Sequence, residues 1–225
     1  MNLEQLIEAS RAALQDQHEP YLWEDKVLVG YLNEAVQEAC ERAKLIEDST
    51  TEAVCRIAVT AGQASYALHP SVLEVRRIAF NGRVLTESSF QALDEQDHAW
   101  ESRQGMPFRF IYEQPTSAAK PTIRLVPAPA VDGVLRLVVY RGAIKPLAEG
   151  VDTGKPEIAD RFHVKLIDWV CRCAYLRPDP DGYDPNKGQT HEALFERTFG
   201  ARPDANVQRK RRDKHPRIVK MKGSW

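Results

Sequence analysis

The stretch Val72–Leu85, VLEVRRIAFNGRVL, decides the fold of this chain. It places Asn81-Gly82 between two apolar runs, and both residues tolerate the positive φ angles that a type I′ turn requires. The stretch therefore predicts a β-hairpin. The apolar alternation changes phase at Arg76-Arg77, which predicts a β-bulge there, because an inserted residue returns both apolar sets to one face.

Further short strands are predicted on both sides of this hairpin. Half-buried strands alternate apolar and polar residues, because successive side chains point to opposite faces of a sheet. Asp132-Gly133 supplies a second turn before Val134–Tyr140. The alternation occurs in Val54–Thr60, in Phe108–Glu113 with Phe108, Phe110 and Tyr112 on one face, in Thr122–Leu125 and in Leu135–Val139.

Apolar residues recur at helical spacing before and after this strand block. Between its halves a short helix or turn is predicted over Gln91–Trp100, and later Asp179–Gly188 is predicted to be a turn-rich loop. The predicted longer helices are Leu3–Leu14, a second from Glu24 or Asp25 to Ile46–Asp48, a third from Pro156 to before Pro178, and a last short one over Thr190–Phe199.

Helices before and after a strand block predict an α+β fold. The N- and C-terminal helices are expected to form a bundle that carries an inserted antiparallel β-strand domain. The predicted divisions are residues 1–50 for the N-terminal helices, 51–145 for the antiparallel insert, 146–202 for C-terminal helices packing on the N-terminal ones, and 203–225 for an extended basic tail.

The composition predicts a globular protein with reduced thiols in a cytoplasmic setting. The 225 residues are 43% hydrophobic, and the four cysteines are too few for a disulfide-stapled secreted fold. The sequence lacks a run of about 18 apolar residues, so no membrane span is expected. The acidic, amphipathic start is unlike a signal peptide.

Four groups of residues are candidates for chemistry: the loop Asp179–Gly188, the pair Cys171 and Cys173, His163, and the acidic cluster Asp94, Glu95 and Asp97. The loop lacks the donor pattern of an EF-hand. The two cysteines, two residues apart on a predicted helix, point to different sides. The histidine is predicted to be structural and the acidic cluster to be a solvated face. No catalytic, cofactor or metal site is predicted, so a hydrolase is the weakest functional alternative.

The C-terminal residues Gln208–Trp225 are strongly basic. They hold eight bases and one acid, Asp213, so this tail carries +7 and the rest of the chain −8, because the whole chain carries −1. Such blocks are usually extended and often bind polyanions. The predicted binding residues are Arg209, Lys210, Arg211, Arg212, Lys214, Arg217, Ile218, Lys220, Met221, Lys222 and Trp225.

Three interpretations of this tail stay open at the level of sequence. It could neutralise nucleic-acid phosphates, with affinity that falls steeply with salt. It could dock along an acidic protein groove, with Ile218, Val219, Met221 and Trp225 as apolar anchors, an interpretation that the interleaved apolar residues slightly favour. It could also remain solvated.

The order of several short motifs resembles the head-to-tail adaptor, or connector, proteins of tailed bacteriophages. The likeness covers roughly residues 3–200, and the strand block is larger than in the short helical members of that family. The motifs are Trp23-x-Asp25 with Leu28, Tyr31-Leu-Asn-Glu-Ala35, Thr60-x-Gly-x-x-x-Tyr66-x-Leu68-x-Pro70, Ile78-x-x-Asn-Gly-Arg-x-Leu85, Leu93-Asp94, Trp100, Gly105-x-Pro107, Leu125-x-Pro127-x-Pro129, and Pro156-Glu-Ile158 followed by Phe162-His163 and Leu166.

The resemblance implies a non-enzymatic structural protein of the virion, assembled in the host cytoplasm and placed at the head–tail junction. It implies a homo-oligomeric ring, usually a dodecamer, below the phage portal protein, with a docking platform for tail or nozzle proteins. Double-stranded DNA would pass through the ring without sequence-specific binding, and the C-terminal tail would reach the portal. No cofactor or membrane is implied. The alternative is a nucleic-acid-binding accessory protein that uses the basic tail.

Overall fold

The computed structural model describes residues 1–113, 120–148, 154–178 and 182–204. The helices in these residues are α1 (Leu3–Leu14), α2 (Asp25–Ala43), α3 (Glu52–Cys55), α4 (Phe90–Asp94), α5 (Leu166–Leu176) and α6 (Pro185–Phe199), with 3₁₀ turns at Trp100–Ser102 and Asp160–Lys165. The strands are β1 (Ile46–Asp48), β2 (Arg56–Val59), β3 (Ser65–Ala67), β4 (Val72–Phe80), β5 (Arg83–Val84), β6 (Thr86–Glu87), β7 (Gln104–Gly105), β8 (Arg109–Glu113), β9 (Thr122–Val126), β10 (Ala128–Pro129) and β11 (Gly133–Arg141). The predicted α+β class is confirmed.

The chain forms two compact units. The helical unit contains residues 1–48, 71–74 and 139–202, and the strand unit contains residues 49–70 and 75–138. In the part of the chain that the structure describes, no helix is long and apolar enough to cross a membrane.

The helical unit has one apolar core, in which α5 packs against α1, α2 and α6. Removing a large apolar side chain from water stabilises a fold by about 1.5–3 kcal/mol. The helices therefore contribute their apolar stripes to a common core. Its fully buried members include Leu6, Leu28, Leu32, Leu166, Val170 and Phe195.

The two N-terminal helices end at residues with left-handed backbone. Asn2 and Gln5 form a capping box at the start of α1, and Gln15 ends it with a φ of 60°. Lys44, with a φ of 52°, ends α2. The predicted continuation of α2 into Ile46–Asp48 is wrong, because these residues form β1 and pair antiparallel with the last residues of β11. That pairing overrides a weak local preference for helix.

The two C-terminal helices begin at other positions than predicted. Pro156 does not start a helix, because Ala159 has an extended backbone with a ψ of 139°. The side chain of Glu157 accepts hydrogen bonds from the backbone amides of Ile144 and Lys145. A 3₁₀ turn follows and α5 begins only at Leu166. In contrast, α6 begins at Pro185 instead of Thr190, so the second half of the predicted Asp179–Gly188 loop is helical. Its amides at Asn186 and Lys187 are capped by Asp184.

In the part of the chain that the structure describes, the strand unit contains two larger sheets and one short two-stranded pair. Its first sheet has the order β2–β11–β4–β5, and its second has the order β3–β9–β8–β6. The pair β7–β10 is parallel, and so is the pair β6–β8 within the second sheet, so the predicted antiparallel insert also contains parallel pairs. The predicted alternation is confirmed at Ile123 and Leu125, and at Leu135 and Leu137, since all four side chains are buried.

The predicted hairpin at Asn81-Gly82 is confirmed. The two residues have φ angles of 46° and 86°, and they join strands in which Phe80 pairs with Arg83. One hydrogen bond joins Asn81 to Val134 and another joins Gly142 to Ser71. Between these two bonds the chain advances ten residues from Ser71 to Asn81 but only eight from Val134 to Gly142. The segment that contains β4 therefore holds extra residues, in agreement with the predicted bulge.

Two predicted strands differ in detail. The start of Val54–Thr60 is the short helix α3, and only Arg56–Val59 is strand. In β8 both faces are buried, because Ile111 packs with Leu93, Trp100 and Val126. Phe108 precedes the strand and is 45% exposed, so its predicted place on the buried face is wrong.

Candidate functional site

The predicted tail residues Arg209–Trp225 lie outside the described residues, which end at Asp204. The structure does describe how the chain leaves the helical unit. After α6 ends at Phe199, Gly200 has a φ of 88°, a conformation that favours glycine and stops the helix. The carbonyl of Gly200 accepts a hydrogen bond from Arg42 at 3.3 Å. The helix end is therefore tied to α2.

Five charged side chains hold α2, α5 and the end of α6 together. Arg42 lies 2.8 Å from Glu38 and 3.3 Å from Glu192. Arg172 on α5 also bonds Glu192, and Arg202 lies 3.5 Å from Glu38. We call these five residues the anchor network. Arg42 and Glu38 are almost fully buried, so their pairing is little screened by solvent.

The anchor network keeps the carboxylate of Glu192 charged. Burial alone raises the pKa of Glu192, but hydrogen bonds from Arg172 and Arg42 outweigh burial and lower the pKa overall. The rings of Trp169 and Phe195 each lie 5.2 Å from the guanidinium carbon of Arg42. The point from which the C-terminal residues depart is thus fixed by charge and by packing.

The linker that follows β11 is fastened to α2 by two side-chain amides. Asn33 donates to the carbonyl of Leu147 at 2.9 Å and accepts from the amide of Leu147 at 2.7 Å. Gln37, one turn further along, donates to the carbonyl of Ala143 at 2.8 Å. A cavity of about 240 Å³ lies between this linker and α2. Regular backbone hydrogen bonding is replaced here by side chains of a helix.

A buried ion network holds the start of the same linker. Arg141 lies 2.6 Å from both Asp48 and Glu157, and the three side chains are at most 15% exposed. Burial alone raises the pKa of Glu157, but hydrogen bonds from Arg141 and from two backbone amides lower it overall. Removing one member would leave an uncompensated buried charge.

The loop before α2 is organised by Arg11. Its guanidinium donates to Asp16 at 2.9 Å, to the carbonyl of Trp23 at 2.8 Å and to Asp25 at 2.5 Å. Asp16 also accepts from the backbone amides of Leu22 and Trp23. The motif Trp23-x-Asp25 therefore has a structural role, and the loop leaves Leu22 46% exposed.

The structure confirms that His163 is a structural residue. Its side chain is fully buried, Nε2 lies 3.0 Å from the carbonyl of Ile158, and Nδ1 lies 2.9 Å from the N-terminal amine of Met1. Both ring nitrogens therefore have partners within the fold.

The cysteines are poor nucleophiles and poor ligands. Burial raises the pKa of Cys171 to about 12 and that of Cys173 to about 11. Within the described ranges, no three His, Cys, Asp or Glu side chains are placed to hold a metal ion. The first residues of the Asp179–Gly188 loop, 179–181, lie outside those ranges.

The acidic cluster is mainly solvated. Asp94 and Glu95 are exposed, and Asp94 accepts from the indole nitrogen of Trp100 at 2.8 Å. Asp97 is half-buried and forms an ion pair with Arg103 at 2.9 Å. These carboxylates support the local turn.

Sequence reasoning missed the linker contacts and the anchor network. Asn33 and Leu147 are 114 residues apart, so no local pattern joins them. Only a weak signal for the linker contacts was present in the sequence. Asn33 and Gln37 are amides four residues apart, which places them on one face of α2 next to its apolar stripe.

Comparison with known proteins gives one family. The family model described as SU10 adaptor protein matches residues 1–220, nearly the whole chain. A comparison with curated proteins found no match. The family match confirms the resemblance to phage head–tail adaptors that the order of motifs indicated. The chain therefore belongs to the SU10 adaptor protein family and is a structural adaptor protein of a phage.

Proposed function

We propose that this protein forms a ring below the phage portal, continues the DNA channel and provides the platform on which tail or nozzle proteins dock. The observation that carries this proposal is the family match over residues 1–220. The ring is a homo-oligomer, with the dodecamer as the expected form. It forms in the host cytoplasm and stays at the head–tail junction of the virion.

The helical unit supplies a rigid body for such a ring. Its single core, the fastened linker and the anchor network hold four helices in one arrangement. Head-to-tail contacts between identical copies close into a cyclic assembly when the rotation between neighbours permits it. In this proposal residues 1–50 and 146–202 are the ring-forming helical parts, and residues 51–145 are the insert that they carry.

The charge distribution suits passage of DNA without tight binding. By sequence, residues 1–48, 71–74 and 139–202 hold 22 acids and 14 bases, so the helical unit carries −8. Residues 49–70 and 75–138 hold 8 acids and 9 bases, so the strand unit carries +1. An acidic lining repels phosphates and lets a duplex slide.

Residues 203–225 are proposed to dock on the portal. The residues proposed to make this contact are those predicted from the sequence, Arg209–Lys222 for charge and Ile218, Met221 and Trp225 as apolar anchors. Arg202 of the anchor network directly precedes this segment in the chain, and its ion pair with Glu38 supports a fixed start for the segment. A fixed start lowers the entropy lost when the segment binds.

The test is assembly with the portal, observed by negative-stain electron microscopy and native mass spectrometry. The full chain should add a ring to the portal, and a chain that ends at Arg202 should lose this binding while keeping its circular dichroism spectrum. A variant with Ile218, Met221 and Trp225 changed to alanine should bind the portal more weakly. A full chain that remains monomeric with portal present would contradict the ring.

A nucleic-acid-binding accessory protein is the second candidate, because the tail carries +7. A contact with phosphates has a steep dependence of affinity on salt concentration, whereas apolar anchors contribute little to it. Changing the eight tail bases to glutamine should abolish DNA binding under this alternative, and the triple alanine variant should leave DNA binding intact. Tight, salt-sensitive binding of free duplex DNA without portal binding would support this alternative over the adaptor ring.

A further inference from the structure

Three neighbouring strands of the strand unit each place one arginine on the same face of the sheet. Arg56 on β2 is directly opposite Arg136 on β11. Arg136 is exposed between the buried residues Leu135 and Leu137, so it lies on the face away from the core. Arg77 on β4, the strand on the other side of β11, is also exposed.

The position of Arg77 follows from its neighbours. A Cβ atom added to Gly133 would lie 2.5 Å from the ring of Phe80, so Phe80 lies on the same face as Gly133 and Leu135. Ile78 and Phe80 are both fully buried. Arg77 is exposed and directly precedes the buried Ile78, so it lies on the opposite face, together with Arg136. We call Arg56, Arg77 and Arg136 the arginine face.

The arginine face has little internal compensation. Arg56 forms an exposed pair with Glu52 at 3.0 Å, and exposed pairs of this kind contribute little. Among the described residues, Arg77 and Arg136 have no ion-pair partner. Like charges directly opposite on a sheet are destabilising. Val84, paired with Ala79 at the edge of the same face, is 53% exposed. A mixture of exposed arginine and apolar side chains is typical of a protein interface.

The helical unit offers the complementary charge. On α1 the exposed residues Glu4 and Glu8 lie one turn apart, and neither has an ion-pair partner in the described part of the chain. Arg11, the single base of α1, is directed inward to Asp16 and Asp25. The charged residues on the exposed face of α1 are therefore both acidic. Two like charges at this spacing are unfavourable until a cation approaches.

We infer that the arginine face of one copy binds the acidic face of α1, Glu4 and Glu8, on a neighbouring copy. This contact rests on the proposed ring and specifies one of its interfaces. The two surfaces differ, so the contact is head-to-tail, which is the kind that closes into a cycle. It also directs the arginines of the strand unit to protein carboxylates instead of DNA phosphates.

The test is a charge swap in the full chain, with ring formation in the presence of portal measured by native mass spectrometry. The double variant R77E/R136E should require at least about tenfold more protein to form the ring, because like charges then face each other. Adding E4K/E8K to that variant should restore assembly. R83E is the matched control, since Arg83 is exposed on the opposite face, where it pairs with Phe80.

Each outcome decides between distinct conclusions. A ring that forms equally well from the wild type and from R77E/R136E overturns the contact and leaves the proposed ring intact. A wild type that stays monomeric with portal overturns both. A double variant that assembles normally but loses affinity for duplex DNA shows that phosphates occupy the arginine face. Thermal unfolding of each variant, unchanged from the wild type, confirms that assembly alone is affected.

Discussion

Asn33 binds both backbone groups of Leu147, with its amide nitrogen 2.9 Å from the carbonyl oxygen and its amide oxygen 2.7 Å from the backbone nitrogen. A helix side chain thus acts as the hydrogen-bonding partner that a neighbouring strand would otherwise supply. Hydrogen bonds from this pair and from Gln37 hold the backbone of the linker after β11 against α2.

Asn33→Ala should lower the free energy of unfolding by about 1–3 kcal/mol, because a partly buried amide and carbonyl then lose their partners. Chemical denaturation followed by circular dichroism measures this change. Asn186→Ala is the matched control, since Asn186 is exposed near the start of α6 and its side chain forms no hydrogen bond with the described residues. Equal stability of the two variants would show that the Asn33–Leu147 pair contributes nothing.

Glu157→Gln should make the free energy of unfolding depend less on pH in the acid range. In the folded protein the pKa of Glu157 lies below its ordinary value of 4.5, so its charge stabilises the fold above that pH. This stabilisation is lost as the pH falls through the lower folded-state pKa. The variant lacks the ionisable group, so its free energy of unfolding should change less between neutral pH and about pH 3.

Glu196→Gln serves as the control for this pH dependence. It removes the same charge from an exposed position on α6, away from Arg141 and Asp48. This variant should keep the loss of stability at acid pH that Glu157 gives the wild type, as measured by urea denaturation at a series of pH values. The same loss in Glu157→Gln as well would contradict a role of the buried ion network.

The thiols of Cys40 and Cys171 should react only when the protein unfolds. Burial raises their pKa values to about 11 and about 12, from an ordinary value of 9.0. At pH 8 the reactive thiolate is therefore scarce as well as shielded. A thiol reagent such as DTNB, added with and without denaturant, measures this. Rapid labelling of both cysteines in the native protein would contradict the burial.

The same raised pKa values predict loss of stability in alkaline solution. Between pH 9 and about 11 the unfolded thiols release protons and the folded ones do not, so the unfolded state is favoured as the pH rises. A Cys40→Ala/Cys171→Ala variant should have a lower free energy of unfolding at pH 7, because cavities form, and a flatter decline above pH 9. A decline as steep as in the wild type would contradict this assignment.

Two glycine substitutions should have opposite effects. At Gly133 a Cβ atom would lie 2.5 Å from the ring of Phe80, so Gly133→Ala should lower the free energy of unfolding by about 1–3 kcal/mol. At Gly30, an exposed position within α2, a Cβ atom meets nothing within 4 Å. Gly30→Ala should raise stability by about 0.5–1 kcal/mol. Thermal or chemical unfolding of both variants tests the pair, and destabilisation by both would contradict the open space at Gly30.

Local sequence patterns determined much of this protein. Apolar spacing located Leu3–Leu14 and the start of α2, and Asn81-Gly82 located the hairpin together with its turn type. These features depend on interactions within a few residues, so a short window of sequence contains their cause. The order of motifs that indicated the adaptor family extends over roughly residues 3–200, but it too is a property of the sequence alone.

Tertiary structure decided the features whose cause lies outside a short window of sequence. Ile46–Asp48 became a strand because β11 offers it a partner, and Ile111 is buried because Leu93, Trp100 and Val126 pack on the second face of β8. The fastening of Leu147 by Asn33 and the alignment of Arg56 with Arg136 join residues that are far apart in the chain. Their cause is the register between distant segments. That register is set only when the apolar cores pack, because burial of apolar side chains selects it and local preference does not.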